Sequence, residues 1–192
     1  MRKTFLKIAN YIAWKLPTGI VRPVSMPLAY QTRVADGFMY ENANIINTAF
    51  GYCANNKMSG NYAEFGVFKG KTTIEAWKAA HRHGLSDMKF WLFDSFEGLP
   101  EVKGIDSGGP FVTHEFSNSR EDYELRLERN GVDSKRIEIV EGFFDKTLPE
   151  TKTDELFSVV FIDCDLYEST VPVLNWLTDK LVDGAVICFD DW

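Results

Sequence analysis

The feature that most constrains this chain is a set of five short apolar runs, each closing on or beside an acidic residue. They are "YAEFGV" at 62–67, "KFWLFD" at 89–94, "RIEIV" at 136–140, "FSVVFID" at 157–163 and "GAVICFD" at 184–190. Runs this apolar suit strands covered on both faces. The stretches between them carry helical spacing. Residues 72–83 put Ile74, Trp77 and Lys78 on neighbouring turns. Residues 119–130 open on Ser119, a suitable N-cap, and stop before Gly131. Residues 170–182 align Val173, Leu174, Leu177 and Leu181, with Pro172 in the first turn, where its missing N–H does no harm. Strands alternating with helices predict an α/β fold with a doubly wound, mostly parallel sheet. A chain of 192 residues, 45% of them hydrophobic, fits a single domain. Within it, residues 1–59 read as a helical lead-in or cap and residues 60–192 as the α/β body.

Ligands of an open parallel sheet bind outside the carboxyl ends of its strands. Here those ends read Glu64-Phe65-Gly66, Asp94, Glu141-Gly142, Asp163 and Asp190-Asp191. Carboxylates gathered in this way repel one another unless a cation or hydroxyl donors lie between them. The arrangement therefore asks for a ligand.

The first run continues as "NYAEFGVFKGKTT", whose Gly70-Lys71-Thr72 looks like the end of a phosphate-cradling P-loop. A P-loop needs four residues between its glycines, so that successive backbone N–H groups surround a phosphate. Only three separate Gly66 from Gly70, and the position five before Gly70 is Phe65. "VVFID" could still supply a metal-holding aspartate, which keeps an NTPase as a distant alternative. Glycines at this spacing better suit a turn that a phosphate-free cofactor approaches closely. Asp94, 24 residues beyond Gly70, stands about where a ribose-binding carboxylate belongs. A nicotinamide cofactor would want the full G-x-G-x-x-G, and "EFGVFKG" offers only G-x-x-x-G.

A net charge of −7 argues against a nucleic-acid binder. The charge is uneven: residues 1–35 hold six basic side chains and no acidic one. Phe5, Ile8, Ile12 and Leu16 recur there at helical spacing. A helix packed on its own domain or on a second subunit of a homodimer is preferred to one resting on a membrane surface. Lys7 and Lys15 interrupt any signal-like apolar core, and no run reaches the length of a membrane span. Three cysteines without paired spacing fit a reducing, cytoplasmic setting.

Five segments in series, "GNYAEFGVFKGKTT", "FWLFDSFEGLPE", "IEIVEGFFDKTLP", "FIDCDLYEST" and "GAVICFDDW", resemble the macrocin O-methyltransferase family. These are class I S-adenosylmethionine-dependent enzymes with a Rossmann-like fold that methylate sugar hydroxyls on natural products. The resemblance runs from Gly60 to Trp192 and is loose before that. It implies that Glu64, Gly66 and Gly70 form the cofactor loop, with Thr72 near the methionine end. Asp94 would accept the ribose hydroxyls, Ser95 and Phe96 would flank the adenosine, and Gly142 and Phe143 would lie along the adenine. Asp163, Asp190 and Asp191 would hold a divalent metal, and carboxylates at adjacent strand ends do make a hard oxygen set suited to Mg²⁺. Asp163 is the expected catalytic base, with His114 in the loop as its rival. The expected partner is a small-molecule hydroxyl acceptor, a glycoside or sugar.

Other polar residues have plainer readings. Asp165 before Leu166-Tyr167-Glu168 looks like a capping box, and a catalytic role stays open beside that reading. His81 and His83 close a helix where positive charge is favourable, and Lys71 reads as a surface lysine. In the family the sheet continues with a further helix and an antiparallel strand pair. The acidic pair here is followed directly by Trp192, which predicts a sheet lacking that strand pair, with strand 184–190 near an open edge. It also raises an alternative function, a cofactor-binding remnant with a scaffold or regulatory role.

Overall fold

The computed structural model describes residues 42–190 of the chain. Asp191 and the basic amphipathic segment lie outside the described residues, as does the lead-in before residue 42. From Ala43 onward the residues form one unit. It opens with helix α1 (42–55), followed by β1 (Asn61–Phe65), α2 (Lys71–Arg82), β2 (Phe90–Asp94), α3 (Arg120–Arg129) and β3 (Ile137–Glu141). Then come α4 (Phe144–Glu150), β4 (Phe157–Ile162), α5 (Tyr167–Leu177) and β5 (Leu181–Phe189).

The five strands make one sheet in the order β3-β2-β1-β4-β5, and every neighbouring pair is parallel. Period-two alternation sends successive side chains to opposite faces. Tyr62, Phe90, Leu92, Val159 and Phe161 join Ile46 and Phe50 of α1, Trp77 of α2, and Tyr123 and Leu127 of α3. Ala63, Phe65, Phe93, Val160 and Ile162 instead meet Leu148 of α4 and Val173 and Leu177 of α5. Covering both faces is what such apolar strands require, since each fully buried large side chain contributes about 1.5–3 kcal/mol. The doubly wound parallel sheet is as expected.

Three local differences have physical causes. Helix α3 starts where its cap predicts, with Ser119 Oγ accepting the Asp122 N–H at 3.1 Å. Helix α5 starts at Tyr167, three residues earlier than its apolar spacing suggests, and ends at Leu177. Pro172 therefore sits inside the helix and not in its first turn. The capping box expected from Asp165 does not form the cap: Leu166 occupies the N-cap position with no side-chain hydrogen bond. Asp106, from a distant loop, accepts the N–H groups of Tyr167 and Glu168 at 3.0 and 3.1 Å. Helix α4 was not anticipated, because "FDKTLPE" is short and carries Pro149 near its end. Strand β5 begins at Leu181, before Gly184, and lies at the edge of the described sheet.

Candidate active site

The chain reverses its direction of growth between β1 and β4: β2 and β3 extend the sheet to one side of β1, and β4 and β5 to the other. Such a switch point leaves a crevice at the carboxyl ends of the strands. Here the backbone ladder runs one residue past the strands. Gly142 N–H donates to Asp94 O, Gly66 N–H to Phe93 O, Asp163 N–H to Phe65 O and Asp190 N–H to Ile162 O, all at 2.8–3.0 Å. Gly142, Asp94, Gly66, Asp163 and Asp190 are thereby set in a row along one rim.

Above that rim opens a cavity of about 430 Å³, the size of a small-ligand site. Its lining includes Gly66, Asp94, Ser95, Gly142, Phe143, Asp163 and Asp190. Seven carboxylates face it against one lysine, Lys103. The phenyl groups of Phe68, Phe116, Phe143 and Phe144 supply apolar surface.

Gly66 explains why the turn after β1 needs a glycine. Its φ is +86°, and a Cβ placed there would stand 1.8 Å from the Asp163 carbonyl oxygen. The turn after β1 thus touches the β4 end backbone to backbone. Asp94 ties the same turn from the other side. Its Oδ2 accepts the Val67 and Phe68 N–H groups at 2.7 and 3.1 Å, and its Oδ1 accepts the Phe96 N–H at 2.7 Å. A carboxylate offers about four acceptor positions, so Asp94 keeps capacity for a further donor from the cavity. The far end of the turn, Gly70, lies on the Tyr123 ring, whose Cε2 would be 2.8 Å from an added Cβ.

Glu64 is fully buried and stands beneath the turn, away from the cavity lining. Its Oε2 accepts the Tyr62 hydroxyl at 3.0 Å and the Thr73 hydroxyl at 2.8 Å, and Thr73 Oγ1 is 3.0 Å from the Tyr123 hydroxyl. Oε1 has no hydrogen-bond partner. Burial pushes the carboxyl up to about 8, against the pull of the Thr73 and Tyr62 hydroxyls. Glu64 therefore fastens the sheet to the start of α2.

Seven of the residues expected at the site, Gly66, Asp94, Ser95, Gly142, Phe143, Asp163 and Asp190, come together at the cavity. Glu64, Gly70, Thr72 and Phe96 support the turn or adjoin it without lining the cavity, and Phe96 packs its ring 5.6 Å from Tyr123. His114 is exposed, with Nδ1 3.2 Å from the Glu97 carbonyl, and is not part of the lining. Glu141, counted among the strand-end acids, points outward to Arg120 at 3.1 Å. Lys71 is exposed and does not line the cavity, as suits a surface lysine. Sequence reasoning missed Phe68 and Phe116, which meet edge to face with centroids 5.6 Å apart. Both have positive φ, 42° and 62°, a backbone state that no residue spacing signals.

The metal expectation meets a partial fit. Asp163 and Asp190 line the same cavity at adjacent strand ends, which is the right chemistry for a hard cation. Among the described residues, no group of three or more His, Cys, Asp and Glu side chains is arranged to hold a metal ion. Asp191, the third expected ligand, is not among them.

Strand order, switch-point cavity and acid-lined rim together define a Rossmann-like fold of the methyltransferase kind. The same architecture is found in the structure of the O-methyltransferase NovP, with a TM-score of 0.68, 24% identity, and 78% of this chain and 64% of that one covered. It recurs in the calicheamicin methyltransferase CalS11, with a TM-score of 0.64 and 19% identity over 97% of this chain and 76% of that one. The macrocin-O-methyltransferase (TylF) family model matches residues 37–192, and the chain belongs to that family. Among its relatives is an 8-demethyl-8-(2,3-dimethoxy-alpha-L-rhamnosyl)-tetracenomycin-C 4'-O-methyltransferase of Streptomyces olivaceus, 34% identical over 69% of this chain and 53% of that protein. Another is the demethyldecarbamoylnovobiocin O-methyltransferase of Streptomyces niveus, 29% identical over 71% of this chain and 54% of that protein. The chain spans about half the length of these curated relatives. Among the described residues, no helix is long and apolar enough to cross a membrane.

Proposed function

We propose that the chain is an S-adenosylmethionine-dependent, Mg²⁺-assisted O-methyltransferase acting on a hydroxyl of a sugar or a sugar-bearing natural product. The observation that carries this reading is the switch-point cavity, in which seven carboxylates oppose one lysine around a backbone turn tied by Asp94. Such a field favours a cationic, sulfonium-bearing cofactor. Bound there, S-adenosylmethionine would supply a methyl carbon open to direct displacement by a hydroxyl oxygen.

The chain's own residues take the remaining roles. Asp94 accepts a ribose hydroxyl with its free capacity, and Ser95, Gly142 and Phe143 line the nucleoside side. Asp163, whose backbone abuts Gly66, faces the boundary between cofactor and acceptor and takes the hydroxyl proton. Its exposure is partial, which leaves room for that exchange. Asp163 and Asp190, with Asp191, would hold Mg²⁺, which supplies Lewis acidity toward a hydroxyl. The relatives' names, a rhamnosyl-tetracenomycin 4'-O-methyltransferase among them, support a glycoside acceptor. The thiols of Cys53, Cys164 and Cys188 are free and buried, in keeping with a reducing, cytoplasmic setting.

The test is titration of the full chain with S-adenosylmethionine, with and without Mg²⁺, followed by methyl transfer to a panel of rhamnosides and other glycosides. Cofactor binding with transfer to at least one glycoside is expected. Binding without transfer to any acceptor overturns the enzymatic reading. An Asp190→Asn, Asp191→Asn double variant that retains Mg²⁺ overturns the metal assignment.

A further inference from the structure

The loop between β2 and α3 builds one wall of the cavity through Leu99, Pro100, Glu101, Lys103 and Phe116, and the first turn of α5 builds the facing wall through Glu168 and Ser169. The base of the loop is pinned to itself: Leu99 N–H donates to Glu115 O and His114 N–H to Leu99 O, both at 2.9 Å. Further out, Val102 N–H reaches Thr113 Oγ1 and Val112 N–H reaches Glu115 Oε2, bonds that stay within the loop. Leu99 and Phe116 hold the base of the loop by apolar packing, whereas Ile105 and Val112 further out are 73% and 62% exposed.

A carboxylate crosses the gap beside Gly104, which itself lies close to the Glu168 side chain. Asp106, half-buried in the short 3₁₀ turn Gly104–Asp106, accepts the Tyr167 N–H on Oδ1 and the Glu168 N–H on Oδ2. It does for α5 what a residue at the helix's own N-cap normally does, from about 60 positions upstream. The N-cap position itself is Leu166, whose side chain makes no capping hydrogen bond. The carboxylate also meets the positive end of the helix, where negative charge is favourable. Glu168 is at once a cavity-lining residue and a donor to this bond.

We propose that Asp106 is a positioning residue that latches the 99–116 wall onto α5 and so governs how long a ligand stays in the cavity. The role rests on the cavity being the cofactor site proposed above. Without the latch, the first-turn N–H groups of α5 turn to water and the loop is free to swing from Glu168. The latch touches neither Gly66 nor Asp94, so ligand entry and the nucleoside contacts stay as they are.

The test uses the full chain with Asp106→Ala and Asp106→Asn, and S-adenosylhomocysteine as the probe. Stopped-flow tryptophan fluorescence gives its on- and off-rates, and mass spectrometry follows trypsin cleavage after the exposed Lys103. In Asp106→Ala the off-rate and the Lys103 cleavage rate are expected to rise about tenfold, with the on-rate within about twofold. Asp106→Asn, which keeps one acceptor oxygen, is expected to recover part of both. A lowered melting temperature with unchanged off-rate and cleavage overturns the proposal, because Asp106 would then only cap a helix. If the wild-type chain binds no S-adenosylhomocysteine, the proposed function fails by itself. Cleavage at Lys103 then decides the latch alone, and equal rates in wild type and Asp106→Ala overturn it.

Discussion

The two walls of the cavity use the same device, a carboxylate accepting backbone N–H groups, on opposite foundations. On the sheet side, Asp94 is a strand-end residue, and it ties the turn at Val67 and Phe68 to the centre of a sheet packed on both faces. On the loop side, Asp106 sits in a largely exposed loop and ties it to a single helix end. The first wall is held in place by the core beneath it; the second depends on its carboxylate. Under the proposed function, the side tied by Asp94 would hold the nucleoside, and the side latched by Asp106 would govern release of S-adenosylhomocysteine, which must leave after each transfer.

Four substitutions and one pH experiment can break or sharpen that contrast. The largest effect is expected at Asp163, the proposed base, which lines the cavity beside Gly66. Asp163→Asn should lower methyl transfer about 10²–10⁴-fold while S-adenosylhomocysteine affinity changes little, measured by steady-state rates and calorimetry. Next, Gly66→Ala should cost about 3 kcal/mol of stability in urea unfolding, since its Cβ would meet the Asp163 carbonyl at 1.8 Å. A stability within experimental error of wild type would mean that the two halves are not in contact at the switch point. Asp94→Ala removes an acceptor from three N–H groups and should weaken S-adenosylhomocysteine about a hundredfold by calorimetry. An Asp106→Ala effect on equilibrium affinity as large as this would erase the distinction between the walls.

A smaller effect is expected from Glu64. Its folded pKa is raised to about 8 from the ordinary 4.5, so the native state holds a proton that the unfolded chain gives up earlier. The stability it contributes is full below about pH 4.5 and is lost as pH rises toward 8, with a slope approaching about 1.4 kcal/mol per pH unit. Urea unfolding between pH 5 and 8 should show this fall, and Glu64→Gln should flatten it. The smallest change is expected from His114→Ala: an exposed residue off the cavity lining should alter methyl transfer by no more than about twofold. A hundredfold loss would move the base from Asp163 to the loop.

Residues whose role follows from strand periodicity were legible in the sequence. Asp94, Asp163 and Asp190 close apolar runs, so their place on the rim follows from the parallel sheet alone. Glu64 sits in the same frame, yet period two turns its side chain into the layer beneath the turn, where Thr73 and Tyr123 receive it. The sequence names the acid and leaves its neighbours unseen. Loop residues were harder. Phe68 and Phe116 reach the cavity by positive-φ backbone, and Asp106 caps a helix it does not precede. Capping rules look one to four residues ahead, so they pointed to Asp165 and missed a cap from another loop. The unexpected early start of α5 was the trace that the true cap left.

The contact between Gly66 and Asp163 also bears on how the chain reaches its final form. Strand β1 pairs with β2, which the ribosome delivers soon after it, and with β4, which arrives about a hundred residues later. Until then one edge of β1 stays open and apolar, and the bare face of Gly66 has nothing against it. Long-range parallel pairings of this kind form slowly. A newly made chain therefore passes through an interval in which the central strand of its sheet is available to the wrong partner. Synthesis at lower temperature, or with a chaperone present, should raise the yield of folded protein more than any change on its surface.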